Sequence, residues 1–308
     1  MKRLLTSALL FFSLSLAAQD VNKNPNKGEP PILGPHWARG VHKAAPTSSN
    51  DLIYHGGPIL PSASVQAIFW GSSWGTNAGD KIKGMNAFYE GESGTKYAAT
   101  VDEYKDSSEH QVSSSLTYLG YITDTTSAPH NPSTSQVLAE VCRRIAKPQS
   151  NGYYPVYIDH KRKSNFCAYH SSGSCAGVEV QFGFFWDLDG DSGCDPQSTV
   201  AGESQGLQAL ANVSGHELSE TRSDPHGNAW YAASGEENAD ECAWTFGGTF
   251  VDFNNTTYLH WKIQGNWSNE ANDGTSPNGP GYTTPQNGFG VAGSGCVDGT
   301  NYPGPFTK

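Results

Sequence analysis

The chain has 308 residues and a formal net charge of −11, with a sequence pI near 5.3. This acidic balance excludes nucleic acid and anionic membrane surfaces as expected partners, because both repel an acidic protein. A content of 35 glycines, 18 prolines and 11% aromatic residues indicates a loop-rich fold with many strands.

Residues 1–18 have the pattern of a secretory signal peptide. A basic start, Met1 to Arg3, precedes an apolar run from Leu4 to Ala18 that ends in small residues. The run is too short for a transmembrane helix, and no later stretch is apolar enough to span a bilayer. We therefore expect a secreted protein, extracellular or periplasmic, with no membrane insertion.

The next elements follow in chain order. Residues 19–50 are rich in Pro, Asn, Lys and Ser and are expected to form a flexible N-terminal segment. Apolar runs and helical spacing then predict a strand over 65–70, a helix over 81–89, a helix over 133–146 and a strand over 154–158. Ser133 and Gln136 are spaced as a capping box, which places the start of the third of these elements.

The second half of the chain contains the most informative helix. Alternation predicts strands over 178–184 and 258–263, and helical spacing predicts a helix over 205–221 that ends before Pro225. Residues 271–308 form a Gly/Pro-rich segment that Cys296 could tie back. The pattern predicts a single α+β domain over 51–270, with a mixed sheet and a central helix that carries the site, an arrangement compatible with zincins.

Six cysteines indicate disulfides in an exported protein. They are Cys142, Cys167, Cys175, Cys194, Cys242 and Cys296. Six cysteines allow fifteen pairings that sequence alone does not resolve. Cys167 and Cys175 are nearest in sequence and are the first expected pair.

The segment His216-Glu217-Leu218-Ser219-Glu220 carries the chemistry. Residues four apart on a helix share a face, so His216 and Glu220 could ligate one metal ion, as two histidines do in zinc hydrolases. Glu217 would then be the general base. Asp224 or His226 could supply a third ligand, and His226 has the spacing of the last histidine in metzincins. The His216 side of the helix is expected to face a cleft or another layer.

An acidic segment follows this helix. Glu237 and Asp240 could be ligands or support the same metal, because like charges this close are costly without a cation or donors to receive them. Zinc is the first expected metal, and a third oxygen ligand would favour calcium or manganese. The alternative is a structural cluster, with a buried histidine hydrogen-bonded to a carboxylate and a solvated acidic turn.

Asp187-Leu188-Asp189-Gly190-Asp191 resembles the start of a calcium loop. It lacks the glycine and glutamate that complete an EF-hand. The two readings are therefore a turn with solvated acids and a structural calcium site.

Several segments together resemble the phosphate-induced protein 1, or EXORDIUM-like, family, and are closer to its bacterial members. They are Tyr54-His55-Gly56-Gly57-Pro58 before the strand ending at Gly71, Phe166-Cys167-Ala168-Tyr169-His170, the His216–Glu220 motif through Asn228-Ala229-Trp230-Tyr231, and the segment from Glu237 to Gly247. The resemblance covers roughly residues 52–270. It implies an extracellular protein and adds His170, which ends a family motif, to the candidate ligands.

Two main functions remain open. The first is a secreted metal-dependent hydrolase, a peptidase of zincin type, that acts on a peptide. The second is a non-catalytic extracellular or cell-wall-associated protein that binds a cell-surface polymer and whose His/acid cluster is structural. A weaker third is a glycoside hydrolase that uses Glu217 and Glu237, which requires two carboxylates across a cleft.

Overall fold

A computed structural model describes residues 28–41, 51–197, 200–247, 249–272 and 295–300. The fold class is α+β, as the sequence predicted, with a six-stranded mixed sheet and four α-helices among these residues. The predicted signal peptide and most of the C-terminal segment lie outside the described residues. None of the described helices is both long and apolar enough to cross a bilayer.

The structure contains the following regular elements. The strands are β1 (Leu33–Trp37), β2 (Ile53–Tyr54), β3 (Ala63–Trp70), β4 (Leu116–Asp124), β5 (Gly152–Lys161), β6 (Phe166–Cys175), β7 (Val178–Asp187), β8 (Trp230–Tyr231), β9 (Val251–Asp252), β10 (His260–Trp261), β11 (Asn266–Trp267) and β12 (Cys296–Val297). The α-helices are α1 (Lys81–Glu92), α2 (Thr134–Arg144), α3 (Gln205–Ser223) and α4 (Asn269–Asn272).

The main sheet has the order β1-β6-β7-β5-β3-β4. Strands β4, β3, β5 and β7 are parallel, whereas β6 runs antiparallel to β7 and β1 runs antiparallel to β6. Three two-stranded ladders pair β2 with β8, β9 with β10, and β11 with β12. The sheet therefore has a parallel body and an antiparallel edge, and this edge lies beside α3.

Helices α2 and α3 lie on opposite faces of the sheet. On β6, Gly173 lies against Leu138 of α2, whereas His170 lies near Glu220 of α3. Odd and even positions of a strand point to opposite faces, so these contacts place one helix on each side. Helix α1 packs against α3, where Gly84 lies close to Leu207.

Helix α3 is buried all round. Ser204 caps its N-terminus by accepting a hydrogen bond from the backbone N–H of Leu207. Every residue from 206 to 223 is buried, so the face that carries His216 is covered as fully as the apolar face. Of the two expected surroundings of the His216 face, a cleft or another layer, the described residues show the second, because β1 and later loops cover that side of the helix.

Most predicted elements are present with longer bounds. The capping box formed by Ser133 and Gln136 is confirmed at the start of α2. The predicted strand over 178–184 extends to Asp187 and is buried on both faces, because α2 and α3 pack against opposite faces of the sheet. The predicted strand over 258–263 is reduced to His260–Trp261.

Strands β1, β4 and β6 were not predicted from the sequence. Residues 33–37, inside the segment expected to be flexible, form β1, and both Gly34 and His36 on it are buried. The domain also includes β12, which lies beyond the expected boundary at residue 270. Long-range pairing stabilises these segments, and their local sequences show no clear alternation.

The disulfides are Cys142–Cys175, Cys167–Cys194 and Cys242–Cys296. The expected Cys167–Cys175 pair is wrong, because both residues lie on β6. Eight residues of extended strand separate them by about 26 Å, far beyond disulfide reach. Cys296 does tie the C-terminal segment back, through Cys242. Three disulfides are typical of a protein that matures in an oxidising compartment.

Candidate functional site

The C-terminal half of α3 supplies three residues of a buried site. His216 and Glu220 are one turn apart, and His216 Nε2 lies 3.1 Å from Glu220 Oε1. Glu217 is next in sequence. All three side chains are 0% exposed. The helical spacing predicted from the sequence therefore places the pair together.

Strand β6 brings a second histidine to the same point. His170 Nε2 lies 3.3 Å from Glu237 Oε1 and 3.8 Å from Glu220 Oε2. The two oxygens of Glu220 thus face two different imidazoles, His216 on one side and His170 on the other.

The 3₁₀ turn Asp240–Cys242 completes the arrangement. Asp240 Oδ1 lies 3.5 Å from His216 Nε2, and the backbone N–H of Asp240 donates to Glu220 Oε1 at 3.0 Å. The Cys242–Cys296 disulfide follows directly and anchors this turn. We call the following set the His/acid cluster: His170, His216, Glu217, Glu220, Glu237 and Asp240.

The His/acid cluster contains two groups of donors that could hold a metal ion. One group is His170, Glu220 and Glu237, and the other is His216, Glu220 and Asp240; within each, the donor atoms lie within 4.8 Å of one another. Glu220 belongs to both groups. Nitrogen and carboxylate oxygen donors of this kind suit zinc and related divalent ions.

Burial controls the protonation of the cluster. It raises the pKa of Glu217, Glu220, Glu237 and Asp240 well above their ordinary values, and their mutual repulsion adds to this for Glu217, Glu220 and Asp240. Burial also lowers the pKa of His170 to about 4. Among the described residues, none of the four carboxyl groups pairs with a lysine or arginine. A divalent cation would supply the missing positive charge.

Glu217 is the least satisfied member of the cluster. Both carboxyl oxygens are buried, and neither has a hydrogen-bond partner among the described residues. The backbone amides of His36 and His170 lie near enough to oppose the rise in its pKa that burial causes, but not in hydrogen-bond geometry. A buried carboxyl without partners is costly and is often retained for a functional reason.

Gln264 fixes the protonation of His216. Its Oε1 accepts from the backbone N–H of Trp244 at 3.1 Å, and its Nε2 donates to the carbonyl of Ala239 at 2.8 Å, so the amide has one orientation. Its Nε2 also lies 3.1 Å from His216 Nδ1, which must therefore accept. Burial holds the pKa of His216 well below its ordinary value, so the ring is neutral and carries its proton on Nε2.

This proton distinguishes the two donor groups. His216 becomes a metal ligand through Nε2 only if the proton moves to Nδ1, against the Gln264 amide. His170 Nδ1 has no hydrogen-bond partner among the described residues, so no neighbouring donor opposes a proton on Nδ1 when Nε2 binds a cation. The group of His170, Glu220 and Glu237 therefore fits a cation without rearrangement, and we prefer it.

Two other candidate ligands have different contacts. Asp224 Oδ1 accepts from the backbone N–H of Asn228 and of Ala229, which stabilises the turn after α3. Its other oxygen is buried without a partner, and burial followed by the charge of Glu237 raises its pKa. Asp224 thus borders the cluster but belongs to neither donor group. His226 contacts Ser172 and Glu179 instead.

Sequence reasoning missed the residues of β1. His36 is fully buried, its ring centroid lies 4.3 Å from that of His216, and its Nε2 lies 2.8 Å from Gln264 Oε1. Gly34 passes directly over Glu220 and His170. The Gly34-Pro35-His36-Trp37 run was the available signal, since it places two aromatic rings together in a segment otherwise rich in Pro, Asn, Lys and Ser.

The Asp187–Asp191 loop is neutralised by side chains. Lys81 contacts both Asp187 and Asp189, Lys161 contacts Asp187 at 2.9 Å, and Arg162 contacts Asp191 at 2.6 Å. The ammonium and guanidinium groups therefore neutralise the aspartate carboxylates that would otherwise be available to bind a calcium ion. These contacts favour an acidic turn without calcium over a structural calcium site.

The chain also contains the serine-hydrolase pattern Gly-x-Ser-x-Gly, at 71–75 and at 202–206. Ser204 caps α3 and its hydroxyl contacts Asp80, while Ser73 lies in a 3₁₀ turn. Neither hydroxyl hydrogen-bonds to a histidine within the described residues. The pattern therefore lacks the base that it needs for catalysis.

Comparison with known proteins adds no identification. No family model matches the chain, and no curated protein matches it significantly. The function must therefore be argued from the His/acid cluster itself.

Proposed function

We propose that this chain is a secreted, EXORDIUM-like, metal-dependent hydrolase that cleaves peptide bonds and uses a divalent cation in the His/acid cluster. The observation that carries the proposal is the meeting of His170, Glu220 and Glu237 within 4.8 Å, beside an unpartnered Glu217. Zinc is the first choice because an imidazole nitrogen belongs to the set. Oxygen-rich surroundings make calcium or manganese the next candidates.

The residues fit a cation on chemical grounds. One imidazole and two carboxylates supply three ligands of kinds that zinc binds, and a catalytic zinc site keeps a fourth position open. A bound cation would offset the mutual repulsion of the buried carboxylates, which otherwise favours their neutral forms. When bound, the cation would polarise a carbonyl group and lower the pKa of water.

Glu217 is assigned as general base. It would accept the proton of the attacking water while the water oxygen bonds to the carbonyl carbon, and later give that proton to the leaving amine as the C–N bond breaks. The Nε2–H of His216, which faces Glu220 and Asp240, would hold Glu220 in place. Gln264 positions His216 through Nδ1.

A specific observation favours the alternative of a non-catalytic extracellular protein. Most of the cluster is closed to solvent among the described residues, and Glu220 Oε1 already accepts from the backbone N–H of Asp240 and lies 3.1 Å from His216 Nε2. In that case the cluster would stabilise the fold, and the protein would bind a cell-surface polymer elsewhere on its surface. The same closure disfavours a glycoside hydrolase, since Glu217 and Glu237 have no open cleft between them.

The test is a peptide-cleavage assay with metal analysis of the same samples. Glu217→Gln should bind metal as the wild type does and lose cleavage by about 100-fold or more. Glu179→Gln, an exposed glutamate on β7, is the matched control and should cleave normally. Equal cleavage by wild type and Glu217→Gln would remove Glu217 from the mechanism. Cleavage by neither protein, with metal bound in both, would favour the non-catalytic alternative.

A further inference from the structure

Within the described residues, the His/acid cluster reaches solvent mainly through Asp240, which has 14% of its side chain exposed. His170, His216, Glu217 and Glu220 are all 0% exposed. A hydrolase must admit its substrate, so the element that covers these residues must move away before a substrate can bind. The structure offers one candidate, because β1 lies directly over the donor atoms.

Gly34 of β1 is the closest cover. A Cβ atom on this residue would lie 1.9 Å from Glu220 Oε2 and 2.8 Å from His170 Nε2. These are atoms of the donor group that we prefer for the cation. Gly34 also has a φ of +41°, which favours glycine. The backbone of β1 therefore passes where the scissile part of a substrate would have to lie.

Strand β1 is held as an extended peptide would be held. It adds to the edge of the sheet, antiparallel to β6, with the pairs Leu33↔His170, His36↔Ala168 and Trp37↔Phe166, and its register shifts on both sides of His36. Without it, β6 would be an edge strand with free backbone N–H and C=O groups. Such an edge recognises extended peptides by strand addition.

The contacts along β1 divide into backbone anchors and one side-chain pocket. Ser171 Oγ donates to the carbonyl of Pro31 at 2.6 Å, and Trp244 Nε1 donates to the carbonyl of Trp37 at 2.9 Å. The His36 ring sits between His216 and Trp244 and reaches Gln264. Backbone bonds that give affinity, with a pocket for one side chain, are the usual pattern of peptide recognition.

We propose that β1 occupies the substrate cleft as an internal inhibitor, so that displacing it opens a site for an extended peptide antiparallel to β6. This inference rests on the proposed function for the role of the cleft, although occupancy itself can be tested without catalysis. The preferred peptide would place glycine over Glu220 and His170, and a ring-bearing side chain two residues later.

The test compares two glycine substitutions in the full chain. Gly34→Ala introduces a Cβ that clashes with Glu220 and His170 and should displace β1. Gly40→Ala is the matched control, because Gly40 also has a positive φ, +75°, but its added Cβ would meet nothing within 4 Å. Thr134→Val is a second route, since it removes the contacts of Thr134 Oγ1 with the carbonyl of Pro30 and with Glu29, just before β1, and changes no residue of β6.

Two readouts need no hydrolysis. Amide hydrogen exchange in β6 should accelerate by about tenfold or more in Gly34→Ala, and less in Thr134→Val, while Gly40→Ala exchanges as the wild type does. A fluorescent synthetic peptide with the sequence of residues 31–38 should bind to Gly34→Ala but not to the wild type. Circular dichroism and thermal unfolding confirm that each variant is folded.

The outcomes separate this inference from the proposed function. Faster exchange and peptide binding without cleavage of any peptide would support β1 as the occupant of a cleft and contradict the hydrolase. Unchanged exchange in β6 of folded Gly34→Ala and Thr134→Val, with no peptide binding, would overturn the inference whatever the activity. If Gly34→Ala does not fold, Thr134→Val decides by the same two readouts.

Discussion

At the residue scale, the site depends on carboxyl groups that are buried without positive partners. Glu220 lies between two imidazoles, and Glu217 has no hydrogen-bond partner among the described residues. Such groups are costly in a folded protein, because burial favours their neutral form. Their concentration at one end of α3, rather than their individual presence, supports a cation site.

The two histidines should contribute unequally to metal affinity. His170→Ala removes a ligand of the preferred donor group and should raise the dissociation constant for zinc by about 100-fold or more. His216→Ala removes only a residue that contacts the ligand Glu220, so it should raise the dissociation constant by about tenfold. Competition with a chromophoric chelator measures both constants. The reverse order would show that His216 gives up its Nε2 proton and binds the metal.

Glu92, a buried glutamate away from the site, should make the stability of the protein depend on pH. Burial raises the pKa of Glu92 from 4.5 to about 8, although Arg222 opposes this. The native state keeps the proton that the unfolded state loses, so the free energy of unfolding falls as pH rises from about 5 to 8.

Glu92→Gln should remove this slope and stabilise the protein by about 1–3 kcal/mol at pH 8.5, with little effect at pH 4.5. Urea unfolding at both pH values measures the difference. Glu90→Gln, on the exposed side of α1, is the control. A stabilisation equal at both pH values would contradict the assignment.

At the element scale, β6 and α3 form the frame of the site. Strand β6 carries His170 and is fixed by two disulfides, Cys142–Cys175 and Cys167–Cys194. Helix α3 presents His216 and Glu220 from the adjoining layer. The position of the cluster therefore depends on how firmly β6 is held against α3.

Removing the Cys142–Cys175 bond should destabilise the domain. It closes a loop with a sequence separation of 33 residues, so the double change Cys142→Ala/Cys175→Ala should cost about 3–4 kcal/mol. Denaturant unfolding of oxidised wild type and the double variant gives the value. A loss below about 1 kcal/mol would mean that α2 is held to β6 by packing alone.

The sequence predicted local elements well and long-range ones poorly. Helices α2 and α3 have capping residues and periodic spacing, and both were predicted. Strand β6 contains a Ser-Ser-Gly-Ser run without alternation, and β1 lies in a Pro-rich segment, so their pairing was not visible locally. The disulfide partners could not be inferred either, since they depend on which strands are neighbours.

The same distinction applies to the site. His216, Glu217 and Glu220 share one helix, and their spacing alone placed His216 beside Glu220. His170 came from the family resemblance, and Gln264 and β1 were not predicted at all, because they reach the cluster only through the tertiary fold.

At the scale of the whole molecule, the protein combines a net charge of −11 with a cluster of buried acids. A cation that binds the native state alone stabilises it by mass action. At a free zinc concentration 100 times the dissociation constant, the gain is about 2.7 kcal/mol. For a domain of this size, the melting temperature should rise by about 5–10 °C.

Thermal unfolding with zinc, with calcium and with chelator measures this shift. The Asp187–Asp191 loop should not contribute, since lysine and arginine side chains already neutralise it. A shift with calcium that survives the change Glu237→Gln would contradict the assignment of the metal to the His/acid cluster.

The most direct measurement is the metal content of the purified chain, by mass spectrometry, for wild type, Glu237→Gln and the control Glu179→Gln. The account predicts close to one divalent ion per molecule in the wild type and the control, and a strong loss in Glu237→Gln. A wild-type protein that stays folded and unchanged in melting temperature with no ion bound, before and after incubation with zinc, would contradict it.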